Sequence, residues 1–171
     1  YGYFNVSNLL AVSAALLACG VALPDIVQRL EALRAVSGRM QRVESAVATA
    51  PTVIVDYAHT PQALAAACDA VRQHFSGDLW LVFGCGGDRD REKRPVMARI
   101  AEQHADHVVV TSDNPRHEDP VAIIDHVVAG FSETANYQVV SDRRLAIRQA
   151  IKSAGAPDVV LITGKGHESS Q

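Results

Sequence analysis

An α/β fold is predicted for this chain: a mainly parallel sheet with helices on both faces, preceded by a helical hairpin. Three observations carry that expectation. From Thr52 onward, short runs of Val, Ile and Leu alternate with longer amphipathic stretches, the order in which parallel strands and crossover helices follow one another. The apolar runs are nearly continuous, as in strands buried on both faces. Residues 5–33 instead repeat their apolar residues at helical spacing and supply no sheet of their own.

In order, Asn5 or Ser7 is placed to cap a first helix with Leu9, Leu10, Val12, Leu16 and Leu17 on its apolar face, and Gly20 is placed to end it. Pro24 starts a second helix with Ile26, Val27, Leu30 and Leu33 on one side. Ser37-Gly38-Arg39 breaks the pattern, residues 40–47 read as a strand or an extended linker, and Ala48-Thr49-Ala50-Pro51 has the composition of a boundary. Strands are expected at 52–56, 79–83, 107–111, 137–140 and 159–163, and helices at 61–75, 94–104, 120–131 and 142–153. Thr60 before Pro61 is a good helix cap.

The 171 residues suffice for one full domain with a piece of another. Apolar residues at 48% and charged residues at 20% are an ordinary globular balance. A net charge of -3 and a pI near 6.2 argue against a nucleic-acid partner, which calls for a basic stripe. Cys19, Cys68 and Cys85 show no CxxC spacing, so neither a disulfide framework nor a zinc site is suggested, and reduced thiols in a cytoplasmic protein fit best. The apolar stretch from Leu9 to Leu23 contains Ser13 and Gly20 and falls short of the ~20 residues of a membrane span. Without a basic segment before it, it does not read as a signal peptide either. Starting at Tyr1 and stopping three residues after a Gly-rich motif, the chain reads as a fragment of something longer.

The unusual polar clusters follow the expected strands: Asp56-Tyr57-Ala58-His59-Thr60-Pro61, residues 84–95, Asp113-Asn114-Pro115-Arg116 and residues 164–168. They should converge on the sheet edge where parallel sheets bind ligands. In Asp113–Arg116, Arg116 can pair fork-on-fork with a carboxylate while Asp113 or Asn114 lies near an ammonium; the same four residues also suit an Asx turn linking strand to helix. Residues 84–90 miss the GxGxxG fingerprint because Arg89 stands where the third glycine belongs. The charges after it, Arg89, Arg91, Lys93 and Arg94, suit anionic groups, with Arg91 and Lys93 read as a solvated helix start. Asp56 and His59 can contact a nucleotide or cap the helix at Pro61. Glu168 can receive an ammonium; His167 and Glu168 lack a third ligand for a metal. His74, His104, His107, His117 and His126 read as structural or exposed. No G-x-S-x-G, H-E-x-x-H or G-x-x-x-x-G-K-[ST] is present.

Together, Asn5-Val6-Ser7-Asn8, Gly38-Arg39-Met40, Asp56-Tyr57-Ala58-His59-Thr60-Pro61, Gly84-Cys85-Gly86-Gly87-Asp88-Arg89-Asp90 with Lys93-Arg94-Pro95, Asp113-Asn114-Pro115-Arg116 and Gly164-Lys165-Gly166-His167-Glu168 stand in an order that resembles the Mur ligase family. The resemblance runs from end to end. It is strongest to members that add meso-2,6-diaminopimelate to UDP-N-acetylmuramoyl-L-alanyl-D-glutamate.

It implies an ATP-dependent amide ligase of peptidoglycan synthesis with three domains. Residues 1–47 would be the C-terminal end of the central ATP-binding domain, and residues 48–171 most of a Rossmann-like C-terminal domain. ATP and Mg2+ would be held mostly by the central domain. The implied partners are meso-diaminopimelate, ATP and the UDP-MurNAc-dipeptide, with no nucleic acid and no membrane, and the implied state is a cytoplasmic monomer. Asn8 and Arg39 would hold the nucleotide and Asp56 with His59 would reach it. Arg89, Asp113, Asn114, Arg116, Gly164 and Glu168 would hold diaminopimelate, and no catalytic residue or metal ligand is expected here. Lysine-adding relatives lack the arginine of this motif, so Arg116 implies a second carboxylate on the incoming amino acid. Without the phosphate loop, the fragment alone is expected to be inactive. The alternatives are a non-catalytic nucleotide- or amino-acid-binding module and a related amide ligase such as folylpolyglutamate or cyanophycin synthetase.

Overall fold

The computed structural model describes residues 2–33 and 36–166. The elements are α1 (Tyr3–Ala18), α2 (Leu23–Glu31), β1 (Gln41–Val43), β2 (Thr52–Val55), α3 (Pro61–Arg72), β3 (Leu79–Phe83), α4 (Lys93–His104), β4 (His107–Val110), α5 (Pro120–Val128), β5 (Tyr137–Val139), α6 (Arg143–Ser153) and β6 (Val159–Ile162). The strands form one sheet in the order β1-β2-β6-β3-β4-β5. β1 is antiparallel to β2, and every other neighbouring pair is parallel. The mainly parallel α/β sheet expected from the alternating pattern is therefore present, with residues 41–43 as an extra antiparallel strand.

Successive strand side chains point to opposite faces, and the sheet sorts them accordingly. Ile54, Leu81, Phe83, Val110 and Leu161 share a core with Leu64 of α3, Met97 of α4 and Ile123 of α5. Val82, Val109, Val160 and Ile162 pack with Ala146 and Ala150 of α6 on the other face. Both faces carry helix, which is why the central strands read as unbroken apolar runs.

Local signals start the helices where expected. Thr60 Oγ1 accepts the Ala63 N–H at 3.3 Å and Asp142 Oδ1 the Leu145 N–H at 2.9 Å, while Pro lies in the first turn of α2, α3 and α5. Helices α3 and α5 end earlier than expected, at Arg72 and Val128. Their last residues form tighter i→i+3 turns, His74 to Val71 and Gly130 to Val127.

Two expectations for α1 are corrected. Its cap is Gly2, at φ 84, with no side-chain cap bond, and the Gly2 carbonyl already accepts the Asn5 N–H. Asn5 and Ser7 therefore lie inside the helix. Its apolar face is not covered either: none of its described residues is buried, and Leu10 is 66% exposed. Gly20 does end it, at φ 85, with Gly20 N–H to Leu17 and Val21 N–H to Leu16, the paired bonds of a Schellman stop.

Central and edge positions should differ sharply in cost. Leu161, fully buried in β6, should lose about 2–5 kcal/mol on truncation to Ala. Val139 at the edge is 46% exposed, and Val139→Ala should stay within about 0.5 kcal/mol. Denaturant unfolding of the two variants measures the contrast.

Candidate functional site

Because β2, β6, β3 and β4 are parallel neighbours, their C-terminal ends lie side by side. The loops leaving them are the polar clusters noted in the sequence, so one edge carries them all. His167 and Glu168 lie outside the described residues.

On the β2 side, a cleft of about 900 Å³ opens between α1, α2 and the loop after β2, and Asn8, Arg39, Asp56 and His59 all line it. The Arg39 guanidinium lies over the Tyr57 ring at 4.5 Å, and Tyr57 meets the His59 ring edge-on at 4.9 Å. Asp56 is only 8% exposed. Its Oδ2 accepts the Met40 N–H at 2.9 Å and its Oδ1 the Ala58 N–H at 2.7 Å, so this carboxylate shapes the cleft wall and holds Met40 at φ 43. Lys93 Nζ donates to the His59 carbonyl at 2.9 Å, tying the start of α4 to the same wall. Gly38, at φ 68, abuts Gly166: a Cβ on Gly38 would lie 2.1 Å from Gly166 Cα. Glycine is required there by both conformation and space.

On the β3–β4 side, the loops are wired together through backbone. The Gly87 N–H donates to the Asn114 carbonyl at 2.9 Å, and Arg116 Nη1 donates to the Gly87 carbonyl at 2.7 Å. A Cβ on Gly87 would fall 1.9 Å from the Pro115 carbonyl oxygen. Asn114 Oδ1 accepts the Arg116 N–H at 3.1 Å, so the Asx turn expected of these residues is present. Arg116 and Asp88 sit at φ 49 and φ 50, a left-handed conformation that costs a non-glycine residue about 1 kcal/mol. Asp113 Oδ1 accepts the Asn114 N–H at 2.7 Å and faces Lys165 Nζ at 3.8 Å. Gly164, at φ 97, lies against the same carboxylate, its would-be Cβ 3.4 Å from Asp113 Oδ2. The sheet thus brings Asp113, Asn114, Arg116 and Gly164 together, while Arg89 stands exposed on the adjoining loop.

Behind these loops lies an ion pair that local sequence pattern does not announce. Arg94 is fully buried and donates to both carboxylate oxygens of Glu118, at 2.8 and 3.1 Å. Glu118 also accepts the Asp88 N–H at 2.7 Å and pairs with Arg91 at 3.1 Å. The Arg94 hydrogen bonds, with help from the Asp88 N–H and the two guanidinium charges, outweigh burial and pull the Glu118 carboxyl down to about 2. Four histidines have local partners: His104 bonds to Asp69, His107 stacks on Trp80, His117 bonds to Asp88 and His126 to Arg94.

The family model described as Mur ligase, glutamate ligase domain, matches residues 38–166. The chain belongs to the Mur ligase family. It is 56% identical over 99% of its length to a UDP-N-acetylmuramoyl-L-alanyl-D-glutamate--2,6-diaminopimelate ligase from Alkalilimnicola ehrlichii, and 52% identical over 100% to one from Coxiella burnetii. It covers 34% and 35% of those proteins, so the chain spans about a third of the length of the curated relatives it matches. A solved structure of a ligase of that name matches with a TM-score of 0.74 at 43% identity, over 99% of this chain and 34% of that one. Mur ligase membership agrees with the order of motifs along the chain. Among the described residues no helix is long and apolar enough to cross a membrane, and no three His, Cys, Asp or Glu are grouped to hold a metal.

The depressed Glu118 carboxyl predicts an acid dependence. Its folded pKa, about 2 against 4.5 normally, means that its stabilising contribution is complete above pH 4.5 and lost as pH falls toward 2. Thermal melts between those values should drop more steeply for the unmodified protein than for Glu118→Gln, which has no carboxyl to titrate.

Proposed function

We propose that this chain is the amino-acid-binding end of an ATP-dependent amide ligase that joins meso-2,6-diaminopimelate to UDP-N-acetylmuramoyl-L-alanyl-D-glutamate in peptidoglycan synthesis. The observation that carries the reading is Arg116: its guanidinium is held by the Gly87 carbonyl at 2.7 Å, at one sheet edge with Asn114 and Gly164. A guanidinium so placed suits a carboxylate that lysine lacks. The names of the relatives that cover the whole chain point the same way.

In this reading Arg89 and Arg116 take carboxylates of diaminopimelate, while Asp113, Asn114, the Gly164 carbonyl and Glu168 surround an ammonium. The cleft at Asn8, Arg39 and His59 takes the nucleotide, with Asp56 shaping its wall; its volume suits a ligand of that size. Residues 1–47 close a preceding ATP-binding domain and residues 48–171 form the amino-acid domain, with β1 reaching across that division onto the sheet. The uncovered face of α1 then packs against the remainder of the longer protein. ATP transfers its γ-phosphoryl group to the D-glutamate γ-carboxylate, releasing ADP. The free amine of diaminopimelate attacks the acyl carbon, an amide forms, and phosphate leaves with loss of the amine proton. This chain's residues contribute position and charge complementarity to those steps. No step uses a metal held here; Mg2+ belongs to the phosphate-binding part of the longer enzyme.

The test is ADP release by an enzyme of full family length supplied with the UDP-muramoyl dipeptide, ATP and either diaminopimelate or lysine. Losing one charge-assisted contact at a partly exposed arginine should disfavour lysine by about 10- to 100-fold in kcat/KM. Arg116→Ala should raise the KM for diaminopimelate by a similar factor and leave the KM for ATP nearly unchanged. Equal turnover of both amino acids, or a variant defective only toward ATP, contradicts the assignment.

A further inference from the structure

Arg94 and Glu118 do more than neutralise one another. Together with the Asn114–Arg116 turn they take every polar backbone group that flanks Gly87: the Gly86 carbonyl accepts from Arg94 Nη2 at 3.3 Å, the Gly87 N–H donates to Asn114, the Gly87 carbonyl accepts from Arg116, and the Asp88 N–H donates to Glu118. A further clasp joins the His117 N–H and Nδ1 to Asp88 Oδ2, the latter at 2.6 Å. The residue that leaves this clasp is Arg89, and the residue that enters it from the other loop is Arg116. We infer that the Arg94–Glu118 pair is a positioning device for the amino-acid site: it sets the Gly86–Asp88 backbone, and through it the separation of the Arg89 and Arg116 guanidinium groups.

Burial and chemistry support this over a purely stabilising role. A buried ion pair is often no more stabilising than apolar side chains of the same volume. Apolar residues cannot take the Gly86 carbonyl or the Asp88 N–H. Arg94 lies on the buried face of α4 with Met97, Ala98 and Ala101, so its guanidinium is anchored in the core and reaches the loop from a rigid element. His126 Nδ1 receives a further Arg94 N–H at 3.1 Å, which fixes the guanidinium plane from the α5 side. Asp88 and Arg116 stay in the left-handed region, a conformation that persists only where surroundings impose it. Two cations whose spacing is set in this way can measure the distance between carboxylates on one ligand. Diaminopimelate, with a carboxylate at each end, is the ligand class that such spacing sorts.

The inference rests on the amino-acid reading of these loops, and its test separates the two. In an enzyme of full family length, the double variant Arg94→Met/Glu118→Leu keeps a filled core but loses both backbone contacts, and Glu118→Gln keeps an acceptor oxygen for the Asp88 N–H. Asp106→Asn is the control for stability alone: Asp106 pairs with Arg72 and accepts the Leu79 N–H at the other end of the sheet. Steady-state kinetics on whichever amino acid the unmodified enzyme uses, with melting temperatures, give the readout. The double variant should raise the amino-acid KM about tenfold or more, as for a misplaced positioning group, while the KM for ATP and for the dipeptide stays within about twofold. Glu118→Gln should fall between it and the unmodified enzyme, and Asp106→Asn should lower only the melting temperature. An unchanged amino-acid KM in the folded double variant, or in Glu118→Gln if the double variant does not fold, overturns the inference. So does a rise shared equally by ATP. A failure of the diaminopimelate reading appears in the unmodified enzyme's own choice of amino acid, whereas a failure of positioning appears only in the variants.

Discussion

The parallel adjacency of β2, β6, β3 and β4 is the constraint on which the rest depends. Parallel strands all end at the same edge, and crossover helices must carry the chain back before the next begins. Each loop that leaves this edge is thus delivered next to the others without any contact of its own being needed. What the loops add is register. Gly38 meets Gly166 across the gap between the first cleft wall and the β6 loop, and Gly87 meets Pro115 between the β3 and β4 loops. At both places the backbone approaches so closely that a side chain has no room, and the loops behave as one surface.

That surface has two halves joined by the first turn of α4. Lys93 reaches the His59 carbonyl beside the large cleft, and the neighbouring Arg94 reaches Glu118 and Gly86 beside Arg116. Consecutive residues on a helix project about 100° apart, so one turn can hold a wall of each half. Among the described residues, the non-glycine residues with positive φ, Met40, Asp88 and Arg116, all lie in these walls and are each held by a side-chain oxygen: Asp56, Glu118 and Asn114 respectively. Such conformations persist only where the surroundings impose them, and here these three oxygens do so.

Much of this was legible in the sequence. Continuous Val/Ile/Leu runs located the central strands, Thr60 and Asp142 marked helix starts, and the polar residues after each run located the edge. Strand order was not legible, because β6 enters between β2 and β3 only through long-range pairing. The cap of α1 differs from the Asn5 or Ser7 that the pattern suggests because the Gly2 carbonyl begins the ladder before Asn5. Arg94 stands in sequence among charges that suit anions, yet it shares the i, i+3, i+4, i+7 spacing of Met97, Ala98 and Ala101. A buried guanidinium needs hydrogen-bonding or ionic partners, and Glu118, four residues after Asn114, supplies them. The Asp56 bond to the Ala58 N–H is a local Asx-type turn, whereas its bond to the Met40 N–H spans 16 residues and follows only once β1 pairs with β2.

In the proposed function Arg116, held by Gly87 and oriented by Asn114, receives a carboxylate of the incoming amino acid. A crystal structure of an enzyme of full family length with bound meso-diaminopimelate tests it directly. A ligand carboxylate within hydrogen-bond distance of the Arg116 guanidinium is expected, with the bonds of Gly86–Asp88 to Arg94, Asn114 and Glu118 unchanged. Diaminopimelate bound with its carboxylates away from Arg116, or a Gly86–Asp88 loop rebuilt around the ligand, would contradict it.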